Sequence, residues 1–184
     1  MCLIKWFKKM RKRRRDRIYE GPYEDGGVIE NDDPQAKKCV ESCDLISFYL
    51  RYSTLAFLEE DTNLKSGVYY LSACLEKDGS AVTCTVDCSE GIDVGAVRKE
   101  RRSIEFLSRV DEILKKYDVA SRNGYFRNVQ GLPDFYGVKV DASYSSGESI
   151  YCFDNQEAFL PIELLRELCT LFDVKNITPK DYGV

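Results

Sequence analysis

The sequence predicts an α+β fold: an antiparallel sheet of about five strands with two helices packed on one face. Three observations carry that expectation. Residues 137–153 alternate Val138, Val140, Ala142 and Tyr144 against Lys139, Asp141 and Ser143, turn through Ser145-Ser146-Gly147-Glu148, and return as a second run, which is a hairpin pattern. Residues 67–76 and 80–88 flank Lys77-Asp78-Gly79, where Asp-Gly favours a tight hairpin turn. Two further segments repeat apolar residues at helical spacing, and an amphipathic helix must cover something. Hairpin connections make the sheet antiparallel, and helices segregated to one of its faces define the class.

The elements follow in order. Residues 44–52 place Ile46, Phe48, Leu50 and Tyr52 on one parity and Ser47 and Arg51 on the other, the pattern of a first strand. The third strand puts Val82, Cys84, Val86 and Cys88 together, so its thiols fall on the apolar side. Phe106, Leu107, Val110, Ile113, Leu114 and Tyr117 mark an amphipathic helix from about residue 98 to residue 117. Residues 121–137 hold Asn123-Gly124 and Leu132-Pro133-Asp134 and read as a turn-rich loop leading into the second hairpin. Pro161 suits a helix start, because its missing N–H removes no helical bond, and Leu164, Leu165, Leu168, Leu171 and Phe172 form the stripe that follows. The predicted order is therefore β-β-β-α-β-β-α.

A chain of 184 residues, 43% hydrophobic and 32% charged, supports one globular domain with a real core. Its charge is uneven. Residues 1–15 hold eight Lys and Arg and no acid, so the net charge of -4 leaves -12 on the rest. Residues 1–17 set Leu3, Trp6, Phe7 and Met10 at helical spacing, with Lys5, Lys8, Lys9 and Arg11 around them. An anionic bilayer surface would bind the apolar side and attract the cations, at about 1 kcal/mol per charge. Peripheral attachment to an inner membrane face is thus the expected role of this head, against a solvated basic tail or a nucleic-acid contact. The acidic body disfavours nucleic acid by repelling a polyanion. Residues 18–40, with Gly21, Pro22, Gly26, Gly27, Pro34 and six acids, have the composition of a flexible linker. The expected division is a basic head at 1–17, a linker at 18–40, one domain at 41–174 and a tail at 175–184.

No apolar run reaches the roughly 18 to 20 residues a spanning helix needs, and the apolar residues before the basic cluster are in the wrong order for a secretory signal. A cytoplasmic chain with eight reduced cysteines is the expectation. Histidine is absent, which removes Ser-His and Cys-His nucleophile pairs, imidazole metal ligands and the usual neutral-pH base. Cys39-x3-Cys43 with Cys84-x3-Cys88 is a poor zinc pattern, since structural sites favour shorter spacing and the strand parity buries the second pair. Glu148 with Asp134 or Asp141 is the one carboxylate pair that would suit a small hydrolase, although acids beside turns usually bond to nearby backbone N–H groups. Ser145-Ser146-Gly147 lacks the preceding glycine and following helix of a nucleophile elbow, and no phosphate-binding glycine pattern occurs. No catalytic residue, metal or cofactor is expected.

Several short stretches carry a resemblance: Ile46-Ser47-Phe48, Gly67-Val68-Tyr69, Ile113 through Val119, Asn123-Gly124-Tyr125, Tyr144 through Ile150 and Leu171-Phe172. Across roughly residues 44–173 the chain resembles a family of small uncharacterised α+β proteins of clostridia-type Firmicutes. The resemblance implies the fold and no activity. Many members look like tethered domains, whereas this sequence shows no lipobox or spanning helix, so any tether falls to the basic head.

The aromatics point to binding. Tyr49, Tyr69, Tyr125, Phe126, Phe135, Tyr136 and Tyr151 gather near the strands and the loop before the second hairpin, and Tyr-rich surfaces give large contact area at low entropic cost. Core packing is the competing use of the same residues. The expected function is a non-enzymatic binding module for a protein or peptide, with Asn123, Tyr125, Phe126, Phe135 and Tyr136 as candidate contact residues.

Overall fold

The structure, a computed structural model, describes residues 27–56, 64–89, 96–132, 134 and 136–174. These residues build β1 (Val28–Asp32), β2 (Leu45–Ser53), β3 (Val68–Leu75), β4 (Val82–Ser89), β5 (Ala96–Arg102), α1 (Glu105–Lys116), a 3-10 turn (Val119–Arg122), β6 (Tyr125–Val129), β7 (Val138–Tyr144), β8 (Ser149–Asp154) and α2 (Ile162–Leu171). All eight strands join one sheet in the order β1-β6-β8-β7-β2-β3-β4-β5. Neighbours run antiparallel except β6 and β8, which pair in parallel. The fold is α+β with a mixed sheet.

Three strands correct the expectation of five. The segment read as a helix from residue 98 begins as β5, and α1 starts only at Glu105. Charged residues occupy both faces of β5, which hides its alternation, and β5 is the last strand of the sheet among the described residues, a position that tolerates them. Residues 125–129 form β6 instead of loop. Residues 28–32, inside the expected linker, form β1 against β6. Such short polar strands have little apolar signal of their own and are held by partners remote in sequence.

The register sorts the residues into two faces. Leu50 stands between Leu71 and Val140, which in turn lie beside Val86 and Cys152. All five are fully buried, on the face that the helices cover. Phe106 of α1 meets Phe172, just after α2, edge to face at 4.9 Å, and Phe172 reaches Phe48 of β2 at 6.3 Å. Cys84 lies on this apolar side as its parity requires. A bulge between Leu45 and Ser47 shifts the register, so Leu45 is buried in the core and Ile46 only half-buried. The turn between β3 and β4 is wider than a two-residue hairpin: the Glu76 N–H donates to Ala81 O, and Gly79 adopts φ +70°.

Polar groups tie the remaining segments to this frame. Asn123, 3% exposed, donates from Nδ2 to Lys37 O at 2.9 Å and Ser149 O at 3.0 Å, and its Oδ1 accepts from Tyr151 N at 2.8 Å. Asn155 bonds both the N–H and the carbonyl of Val129 and so substitutes for a neighbouring strand. Buried Asp111 of α1 accepts from the Tyr144 hydroxyl at 2.8 Å and pairs with Lys115 at 2.7 Å. Arg98 donates to the carbonyls of Phe172 and Asp173 and thereby satisfies the end of α2. Gly137 passes so close to β8 that a Cβ there would meet Asp154 O at 2.2 Å.

Candidate functional site

The other face of the sheet carries no helix among the described residues. Its side chains follow from the register alone. One row across the central strands is Asp87, Tyr70, Arg51, Lys139, Phe153 and Phe126; the adjacent row includes Thr85, Ser72, Tyr49, Asp141 and Tyr151. Most of these residues are half-buried, as on an open sheet surface, whereas Arg51 and Phe153 are buried at 9% and 7% exposure.

Cations and rings interleave here. The Arg51 guanidinium lies 5.4 Å from the Phe153 ring centroid, and Phe153 stacks on Phe126 at 5.1 Å. The Lys139 ammonium stands 5.8 Å from both the Tyr49 and the Tyr151 rings. Ring faces attract such cations electrostatically, and the flat contacts hold the long side chains in place. The Nε and Nη2 groups of Arg51 are buried and have no hydrogen-bond partner among the described residues. Burial pushes the Tyr49 hydroxyl up from its ordinary value, with Tyr70, Asp87 and Asp141 adding to the rise and Arg51 opposing it. Burial likewise raises the Asp87 carboxyl.

The residues singled out in the sequence fall elsewhere or divide between locations. Asn123 has its side-chain amide fully committed to backbone groups, so its task is to hold residues 37–38 and β8 together, not to present a contact surface. Tyr125 lies on the helix side, bonded to Asp154 at 3.2 Å and edge-on to Phe159 at 5.1 Å. Phe126 belongs to the open face, and Tyr136 is exposed in the approach to β7. Tyr69 is buried on the helix side, its hydroxyl bonded to Lys65 O at 2.6 Å. Phe135, and Leu3, Lys5, Trp6, Phe7, Lys8, Lys9, Met10 and Arg11 of the basic head, lie outside the described residues.

Glu148 is engaged with the segment that precedes β2. Glu148 accepts from the backbone N–H groups of Glu41 at 3.3 Å and Ser42 at 3.0 Å and lies 3.6 Å from the Lys37 ammonium. These bonds, the one from Glu41 foremost, hold its carboxyl below the usual range, the opposite of what a general acid needs. Asp141 has the parity of Tyr151 on the open face, and Asp134 is exposed in the loop before β7. Cys84 is fully buried and Cys88 half-buried, while Cys39 and Cys43 are exposed; no metal-ligand cluster occurs among the described residues. Burial raises the Cys84, Cys88 and Cys152 thiols to about 12, which suits inert core residues.

Three residues of the open-face cluster, Arg51, Lys139 and Phe153, were not singled out by sequence reasoning. The signal for the two cations is the polar parity of β2 and β7, and it becomes a cluster with Phe153 only once β2, β7 and β8 are known to pair. No family model matches the chain, and no curated protein or solved structure is significantly similar to it. Among the described residues no helix is long and apolar enough to cross a membrane.

Proposed function

We propose that this chain is a non-enzymatic binding module and that the open sheet face around Tyr49, Arg51, Lys139, Tyr151 and Phe153 is its ligand surface. The observation that carries the reading is Arg51, a nearly buried guanidinium stacked on Phe153 in a face that no described helix covers. Rigid aromatic side chains and Arg are the residues enriched where proteins grip partners, and a broad sheet face suits a macromolecule. A photo-crosslinking residue at Tyr49, introduced in the native host, is expected to give discrete adducts. The same residue at Arg109 on α1 should give none. Equal yields from both positions would remove the open face as the ligand surface.

The basic head serves this module as a peripheral membrane attachment. Its support is the pairing of Trp6 and Phe7 with eight cations and no acid in residues 1–15. Flotation with vesicles containing anionic lipid is expected to carry the full chain upward and to leave behind a variant that begins at Ile18. Equal partitioning would defeat the tether.

A further inference from the structure

Residues 37–44 form a strap that polar contacts fasten beside the β7–β8 turn. Asn123 donates to the Lys37 carbonyl, and Glu148 accepts from the N–H groups of Glu41 and Ser42. Lys115 of α1 donates to the Ser42 carbonyl at 3.1 Å, and the Ser145 N–H donates to the Asp44 carbonyl at 2.9 Å. The strap also carries two exposed free thiols, Cys39 and Cys43, placed on either side of the pair that Glu148 grips. The Lys115 ammonium, anchored on buried Asp111 at 2.7 Å, reaches the Cys43 sulfur at 3.6 Å.

Two cysteines four residues apart can close a small ring, but not while the strap is fastened. Val40–Asp44 run on without a turn or a sharp bend. A chain that keeps its direction from Cys39 to Cys43 holds their Cα atoms farther apart than the roughly 7 Å a disulfide tolerates. Joining the two sulfurs therefore requires a bend at Glu41, the residue whose N–H is given to Glu148.

We propose that Cys39 and Cys43 form a thiol switch: a small-molecule disulfide such as oxidised glutathione converts them to an internal disulfide when Glu41 and Ser42 leave Glu148, and the new bond then keeps the strap detached. This inference is independent of the open sheet face.

The exchange runs in two steps. The Cys43 thiolate attacks one sulfur of oxidised glutathione, an S–S bond forms between them, and one glutathione thiolate leaves. The Lys115 ammonium beside Cys43 favours the approach of this anionic reagent. The Cys39 thiolate then attacks the Cys43 sulfur, and the second glutathione thiolate leaves. The two protein thiols give up two electrons and two protons, and one oxidised glutathione becomes two reduced molecules. Only the detached strap completes the second step, so each contact that holds it down lowers the competent fraction and slows ring closure by the same factor. Glu148 is in this sense a positioning residue for the thiol pair.

The experiment treats the reduced full chain with oxidised glutathione, traps the remaining thiols by alkylation and maps the tryptic peptide 39–51, which holds both cysteines. The parent is expected to lose two hydrogens in that peptide, and Cys39→Ser to accumulate a glutathione adduct on Cys43 instead. Glu148→Gln should close the bridge at least about threefold faster, because a weaker grip opens the strap more often. Buried Cys84 and Cys152 should stay unmodified throughout, which separates strap opening from unfolding of the variant. In the oxidised parent, carbon-13 titration of the Glu148 carboxyl should move toward the ordinary glutamate range as its backbone donors depart.

A parent that yields only mixed disulfides with glutathione, a bridge to Cys74 or no modification of peptide 39–51 overturns the switch. Equal closure rates in the parent and Glu148→Gln overturn the coupling to the strap, as does a Glu148 titration that oxidation leaves in place.

Discussion

Glu148 shows how little a residue's type says about its use. Beside a Ser-Ser-Gly turn it has the look of an active-site acid, but both its oxygens are occupied by the N–H groups of residues 41 and 42. Its job is to fasten the incoming chain to the β7–β8 turn. Because its folded carboxyl titrates lower than the unfolded one, ionised Glu148 contributes stability above the unfolded value, and that contribution is lost as pH falls through the folded value. Thermal melts between about pH 5 and about pH 2 should therefore show the parent chain losing more stability than Glu148→Gln. Parallel curves would mean that the carboxylate contributes nothing to folding. Asn123 is a related case: an Asn-Gly pair reads as a turn, and the amide proves to be a three-way backbone clamp that only residues 37, 149 and 151 together reveal.

At the scale of elements, β1 and the segment after it are the largest revision. Composition places residues 18–40 in a linker, yet Val28–Asp32 pair along their whole length with β6, and Asp33 and Ala36 lie against Gly124. The physical reason is that β6 has one side on β8 and needs a second strand to satisfy its other side, so a polar segment is ordered by backbone hydrogen bonds instead of burial. Removing residues 1–26 should leave the melting temperature nearly unchanged. Removing residues 1–40 strips β6 of its β1 partner, Asn123 of the Lys37 carbonyl and Glu148 of the Lys37 ammonium, and should cost at least about 2 kcal/mol in denaturant unfolding. Equal stability of the two truncations would show that β1 adds nothing to the fold.

Over the whole molecule, the sheet consists of two four-stranded halves, β1-β6-β8-β7 and β2-β3-β4-β5, joined where β2 meets β7. That seam carries Leu50, Tyr52, Val138 and Val140 at the centre of the core, all fully buried. Amides of β2 and β7 should exchange with solvent only through global unfolding and be the slowest in native-state exchange, whereas β1 and β5 at the edges exchange faster through local opening. An edge strand that exchanges as slowly as the seam would refute this picture of stability. The same seam aligns Arg51 with Lys139, and β8 on the other side of β7 sets Phe153 beside Lys139, so the joint that stabilises the sheet also helps compose the candidate binding face.

By itself the sequence determined the α+β class, both clear hairpins, the apolar stripes of the two helices and the parity that sends Cys84 and Val86 inward. Those features rest on local periodicity, and a period of two or of 3.6 can be read without knowing any neighbour. Only the tertiary structure decided that the sheet has eight strands, that β6 and β8 run parallel, that residues 28–32 are a strand and that the open face gathers Tyr49, Arg51, Lys139, Tyr151 and Phe153. Each of these depends on which strand lies beside which, and pairing between strands distant in sequence is set by the best joint burial of the whole set, not by any one segment.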